Sequence, residues 1–412
     1  MLTILVNAYA CSPDTGSEPG MAWNWCRYLA RRCKLHIITE GEFKSQIEAA
    51  LLSLPEGKNM HFHYNPVSDK VRRMCWNQGD WRFYRYYRKW QQKTLTIACK
   101  IVASNRIDII HQLNMIGFRE PGYLWKIKDI PFVWGPIGGI KMFPVAYLQG
   151  ARLEQQVFYR LKNMLNSLQL RFDRRVCMAL GSAALLISAI PDTYRAIKEY
   201  HKAESVTIPE TGCFINRDND ADRFHDPCFH ILWAGKFDFR KQLPLALRAI
   251  AATGNDNIVL DVFGSGNKRQ IVAVQRLARE LNIDGQVVWH GNRPHHEVMQ
   301  EMQRSQLFFF TSVSEDTSTV VLEAISCCTP ILCFDINGMG HVVDGSIGIK
   351  IGISNPKQSV ADFAEQIQYL YHNRSILKTM SINSLRRQEE LSWERKAEQV
   401  ILLYETILTD RG

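Results

Sequence analysis

Short apolar runs that end in turns and give way to helix-period stretches recur along this chain in two sets, and this alternation constrains the fold more than any other feature. The first set is residues 2–8, 35–39, 107–111, 131–134 and 184–188; the second is 231–234, 258–263, 287–289, 307–311 and 331–334. Runs this short and this apolar fit strands buried on both faces, and strands alternating with helices form parallel sheets. Between the sets, Pro209, Gly212 and the almost wholly polar stretch 216–222 make the most linker-like segment of the chain. The expected fold class is therefore α/β: two doubly wound, Rossmann-like domains with a cleft between them. Their expected spans are residues 1–207 and 229–390, with a linker at 208–228 and a C-terminal helix within 391–412. That helix sets Ala397, Val400, Ile401, Tyr404 and Ile407 on one face.

The charge is divided unevenly between the halves. The chain of 412 residues carries a net +9, but residues 1–205 hold 29 Lys and Arg against 16 Asp and Glu, a net of +13, and the remainder 21 against 25, a net of −4. A basic excess confined to one half faces an anionic partner: a membrane surface, a phosphorylated acceptor or nucleic acid. Eleven cysteines are scattered without a CxxC pair or zinc spacing, which fits reduced thiols in a cytoplasmic protein. The N-terminal apolar run lacks a basic flank and stops at the polar stretch 12–20, unlike a secretion signal. The longest apolar run, 176–190, is shorter than the ~20 residues needed to cross a bilayer. The expected location is the cytoplasm, with the inner face of the membrane as a docking site.

Two constellations carry chemistry. After the run 307–311 come Glu315 in a loop, Thr317, Ser318 and Thr319 at a helix start, and Glu323 inside that helix. Backbone N–H groups at such a start form an anion site, and the flanking carboxylates suit sugar hydroxyls and a ribose diol. A helix-dipole role for Glu315 explains the spacing equally well. After the run 231–234, Gly235, Lys236, Arg240 and Lys241 put three cations within six residues, which suits a diphosphate as well as a solvated loop. In the basic half, Gly16 and Gly20 follow the first strand near a helix start, and His111 ends its strand at the side where doubly wound sheets bind ligands. A Gly135-Pro-Ile-Gly-Gly139 loop with Lys141 follows the next strand.

In this order and spacing, these residues resemble the retaining glycosyltransferases of family four, which have the GT-B fold. The Glu-x7-Glu signature of that family is matched by Glu315 and Glu323, followed by Ala324 and the Thr329-Pro330 step into a strand; its strand-end cation pair is matched by Lys236 and Lys241. Ile208-Pro209 with Gly212 resembles the interdomain turn, the stretch around Gly264 the strand-end glycine turn, and His290-Gly291 the turn near the base. The chain departs from the family where Lys236 replaces an Arg, losing the bidentate fork, and where Asp316-Thr317-Ser318 replaces Gly-Phe-Gly. The resemblance implies a nucleoside-diphosphate-sugar donor and transfer, with retention, to a hydroxyl of a glycan acceptor of the bacterial surface-polysaccharide type, lipid-linked. It assigns Glu315 and His111 to the donor sugar. It assigns Gly16 or Gly20, Lys236, Lys241, Gly264, Gly291, Thr317, Ser318, Thr319 and Glu323 to donor binding. It places the last helix against the N-terminal domain and calls for no metal or other cofactor.

Two basic segments remain. Residues 70–93 hold eight Lys and Arg against one acid, with Phe83, Tyr87, Trp90, Thr94 and Ile97 in one helical stripe. Further on, Leu153, Val157, Leu161, Met164, Leu168 and Phe172 form a second stripe, with Arg152, Arg160, Arg171, Arg174 and Arg175 elsewhere. Each stripe fits a domain core or an anionic membrane surface. No nucleic-acid motif accompanies them, and nucleic acid is not an expected partner. Gly264-Ser-Gly266 lacks the third glycine of a dinucleotide fingerprint, and Asp218, Asp220 and Asp222 sit in the polar linker rather than in a metal site. A nucleotide-sugar epimerase of the same architecture and a non-catalytic basic binding protein are the alternatives.

Overall fold

A computed structural model describes residues 1–77, 80–149, 151–218 and 222–410. The chain divides into two compact units: residues 1–140, 164–210 and 393 onward form the first, and 141–163 with 211–392 the second.

The first unit is built on seven parallel strands: β1 (Thr3–Ala8), β2 (Lys34–Thr39), β3 (Met60–Tyr64), β4 (Ile109–Asn114), β5 (Phe132–Ile137), β6 (Leu185–Ser188) and β7 (Val206–Thr207). Their order is β3-β2-β1-β4-β5-β6-β7. The helices α1 (Ser17–Leu29), α2 (Lys44–Ser53), α3 (Asp69–Trp76), α4 (Phe83–Ser104), α5 (Leu153–Phe172), α6 (Arg174–Ser182) and α7 (Pro191–His201) follow in chain order. The division between units falls inside α5, after Asn163. Alternate strand residues feed opposite faces, as the strand period demands. Ile4, Val6, Leu35, Ile37, Ile109 and Val133 pack against α1, whereas Leu5, Ile38, Ile110, Phe132 and Trp134 pack against α4 and α6.

The second unit repeats the plan with six parallel strands: β8 (Phe229–Ala234), β9 (Ile258–Phe263), β10 (Val287–Gly291), β11 (Leu307–Phe310), β12 (Ile331–Phe334) and β13 (Gly348–Ile351), ordered β10-β9-β8-β11-β12-β13. Its helices are α8 (Leu243–Thr253), α9 (Lys268–Glu280), α10 (His295–Arg304), α11 (Thr319–Ser326), α12 (Asn337–Val342), α13 (Pro356–His372) and α14 (Arg374–Glu390). In each sheet the strand order reverses direction at one place, between β1 and β4 and between β8 and β11. The crevice outside the carboxyl ends of such strands is where open α/β sheets bind ligands.

Two placements differ from the expected spans. Residues 141–163, expected in the first domain, cluster with the second unit because Phe143, Tyr147 and Leu148 are buried in its core and the Tyr147 hydroxyl meets Ser359 Oγ at 2.6 Å. The 208–228 segment is not a solvated linker throughout. Arg223 and Phe224 are buried, and Arg223 donates to the Cys328 carbonyl and to Ser381 Oγ. Residues 219–221, with the Asp220 considered above, lie outside the described residues. The final helix, α15 (Trp393–Thr409), lies against α1: Trp393 packs on Trp25 and Tyr28, and Arg32 pairs with Glu398 at 2.6 Å.

His111 explains much of how α15 is held. It lies inside β4 rather than at its end, fully buried. Its Nε2 donates to the Gly135 carbonyl at 2.7 Å, and its Nδ1 accepts from the Tyr404 hydroxyl of α15 at 2.6 Å. Burial pushes its pKa down to about 4, so the ring stays neutral, as this pair of bonds requires. His36 on β2 is likewise pushed down to about 4 by burial and by His63 and His61 beside it. Both values lie below those of the unfolded chain, which therefore binds more protons as the pH falls below about 6.5. Stability should fall between pH 6.5 and about 4, His111 alone contributing about 3 kcal/mol across that window. Melting temperatures from pH 7.5 to 4.5 should drop steeply in the parent and less steeply in His111→Gln; parallel curves would contradict this origin.

Candidate active site

The carboxyl ends of β8 and β11 carry two loops that are tied together through backbone atoms. Thr311, just past β11, donates its hydroxyl to the Lys241 carbonyl at 2.7 Å and accepts from Trp233 Nε1 at 3.0 Å. Val313 N–H reaches the Arg240 carbonyl at 2.9 Å. Asp238 caps the short turn 239–241 by accepting from the amides of Arg240 and Lys241. These bonds fix the cationic turn beneath the loop that bears Glu315.

Glu315 is met there by cations. Lys241 Nζ lies 3.0 Å and Arg240 Nη1 3.7 Å from its carboxylate, and Arg240 is steered by Asp238 at 2.9 Å. Burial works to raise the Glu315 pKa, but Lys241, Arg240 and Lys141 outweigh it and hold the group below the ordinary glutamate range. Lys141 itself pairs with Asp316, the residue after Glu315. Tyr159 on the inner side of α5 backs the cluster, its phenol raised by burial next to Arg240, Asp238 and Glu315.

The helix α11 begins at Thr319 with Ser318 as its N-cap, and the Ser318 side chain makes no capping hydrogen bond. Thr317 and Ser318 are buried and Thr319 is exposed. Glu323, one turn into α11, accepts from His295 Nε2 at the start of α10 at 2.9 Å, and this bond raises the His295 pKa. The two glutamates are thus held by different partners, Glu315 by the β8 turn and Glu323 by α10. Gly264, after β9, has φ +118°, and a Cβ there would collide with the Gly235 carbonyl oxygen. Its amide donates to the Gly291 carbonyl at 2.8 Å. Gly291, the last residue of β10, has φ +69°. Gly264 therefore sets the path of the Gly235–Lys236 turn, and Lys236 lies on the exposed rim of that turn.

In the first unit the β1 turn leads into α1. A Cβ on Gly20, inside the helix, would strike the Thr15 carbonyl, whereas one on Gly16 would meet nothing. Gly20 is buried and Gly16 exposed, so packing requires the first glycine and leaves the second accessible. His111 is not brought to the carboxyl-end loops, and with both ring nitrogens committed no part in the chemistry is assigned to it.

Three partners were not singled out from sequence as site residues. Arg240 and Lys141 were visible as cations near the motifs, but nothing marked which cation faces Glu315. His295 carried no signal, because its contact with Glu323 joins α10 to α11 over 28 positions.

Residues 218–387 match the family model described as glycosyl transferases group 1, a span that includes Lys236, Lys241, Gly264, Gly291, Glu315 and Glu323. A D-inositol 3-phosphate glycosyltransferase of Nocardia farcinica is 28% identical over 146 residues, 35% of this chain and 31% of that protein. The chain thus spans about a third of the length of the curated relatives it matches. Among solved structures, sucrose-phosphate synthase from Thermosynechococcus elongatus superposes with a TM-score of 0.67 at 16% identity, covering all of both chains. Anabaena HepE in complex with UDP superposes with a TM-score of 0.63 at 12% identity, covering 98% of this chain and 100% of that one. At such identities the likeness establishes the fold, the GT-B arrangement of two parallel doubly wound sheets.

Gly264→Ala should cost roughly 1–3 kcal/mol, through a strained φ and the collision with Gly235, and lower the melting temperature by several degrees. Gly16→Ala should leave it unchanged. Thermal denaturation of the two variants checks this, and an unaltered Gly264→Ala would remove the steric role.

Proposed function

We propose that this protein transfers a sugar from a nucleoside-diphosphate sugar to a hydroxyl of a glycan acceptor, lipid-linked, with retention of configuration. The observation that carries the proposal is the partly buried Glu315 carboxylate held ionised by Lys241 and Arg240 at the strand-order reversal of the second unit. That position is a general ligand site of doubly wound sheets. The match of this unit to group 1 glycosyl transferases, and the UDP in the HepE complex, support a nucleotide-sugar donor.

The donor diphosphate would lie along Lys236, Arg240, Lys241 and the amides at the start of α11, with Glu323 on the ribose diol. The bond between the anomeric carbon and the phosphate oxygen breaks, and its electron pair leaves with the nucleoside diphosphate. Cations fixed before the reaction stabilise that developing charge without reorganising. The ionised Glu315 orients the sugar hydroxyls as positive charge grows on the ring. The acceptor oxygen bonds to the anomeric carbon on the face the diphosphate leaves, and a phosphate oxygen takes its proton. This path uses no second protein acid or base. The basic excess of residues 1–205 favours an acceptor carrying phosphate.

Glu315→Gln should lower turnover by about 10²–10³-fold while nucleoside-diphosphate affinity stays within a few-fold. Lys241→Ala should weaken that affinity by about tenfold or more, as loss of a charged hydrogen bond does. Release of nucleoside diphosphate from UDP-, GDP-, ADP- and dTDP-sugars, with binding measured alongside, tests both. Undiminished turnover in Glu315→Gln would remove that residue from the mechanism.

A further inference from the structure

The two apolar stripes have opposite fates. On α4, Phe83, Tyr87, Trp90 and Thr94 are buried in the first unit's core. On α5, Leu153, Val157, Phe158, Leu161, Met164, Leu165, Leu168 and Phe172 are all exposed, from 40% at Leu165 to 75% at Leu153. At 100° per residue these eight fall within one contiguous face. The opposite side of the helix is seated inward by Tyr159, Asn166 and Leu170. Eight large apolar side chains facing water on one helix form a surface that calls for a partner.

The charge around the face narrows what that partner is. Exposed Arg160 and Arg171 lie along one edge of it, exposed Arg152 and Arg174 stand just beyond the two ends of α5, and the one acid within the face, Glu154, sits in the first turn, where the helix dipole favours it. The start of α4 continues the same chemistry. Arg119, within electrostatic reach of Tyr84, donates to Gln169 of α5 at 2.7 Å, and exposed Trp81, Tyr84, Arg85 and Lys89 gather at the start of α4. Apolar side chains edged by cations and by interfacial Trp and Tyr suit an anionic bilayer. A second copy of the chain would set arginine against arginine. No described helix is long and apolar enough to cross a membrane, so the helix would lie in the interface plane.

We infer that α5 docks this protein on an anionic lipid surface, its apolar face entering the headgroup–acyl boundary while the flanking arginines meet lipid phosphates. This assignment does not depend on the sugar-transfer proposal. It predicts that the full-length chain floats with phosphatidylcholine vesicles containing phosphatidylglycerol at least tenfold more than with pure phosphatidylcholine vesicles. Leu161→Glu with Leu165→Glu should abolish the difference, and so should Arg160→Glu with Arg171→Glu, which leaves the apolar face intact. Leu52→Glu, at an exposed site on α2, should float like the parent, and light scattering should find the parent monomeric. Equal recovery on both vesicles, undiminished flotation of both double variants, or a parent dimer that the leucine variant splits without any vesicle binding would each overturn the inference.

Discussion

A carboxylate partly withdrawn from water at the end of a parallel sheet stays ionised where cations offset the lost hydration, and Glu315 is met by Lys241 and Arg240, with the charge of Lys141 nearby. The local architecture of the second unit follows from keeping those groups together. Thr311 and Val313 bind the loop after β11 to the carbonyls of the turn after β8, and Asp238 both caps that turn and steers Arg240. Gly264 lets β9 pass close enough to shape the Gly235 turn. Removing the carboxylate would take from Lys241 its partner at 3.0 Å, while Arg240 would keep Asp238 and Lys141 would keep Asp316; removing a cation would leave the carboxylate under-compensated.

Much of this was legible in the sequence, for identifiable reasons. Strands buried on both faces read as unbroken apolar runs, so β8, β9, β11 and β12 were visible almost to the residue, and parallel sheets followed from their alternation with helices. The Glu315–Glu323 spacing and the cation cluster after β8 were visible because each lies on one continuous segment. Contacts between segments were not. Lys141 joins Asp316 across 175 positions, and Tyr147 carries residues 141–163 into the second unit through Ser359. His111 illustrates the same limit: its strand runs three residues beyond the apolar signal, so a residue expected at a strand end is enclosed between Gly135 and Tyr404.

The stripes on α4 and α5 share periodicity, aromatic content and basic flanks, yet one is core and the other faces solvent. Periodicity reports that a helix has an apolar side, not what covers it. Tyr9 stacks edge-on against Phe83, Tyr87 and Trp90 and makes the α4 stripe interior. For α5 the inward positions are instead Tyr159, Asn166 and Leu170, a mixed row that sequence patterning would assign to the surface.

The claim that the cations around Glu315 form a nucleoside-diphosphate site is tested most directly by thermal denaturation with UDP, GDP, ADP and dTDP. One of these should raise the melting temperature, by an amount equivalent to about 2.7 kcal/mol at a hundred times its dissociation constant, and Lys241→Ala should lose most of that rise. A well-folded protein indifferent to all four, or an equal rise in Lys241→Ala, would contradict the account.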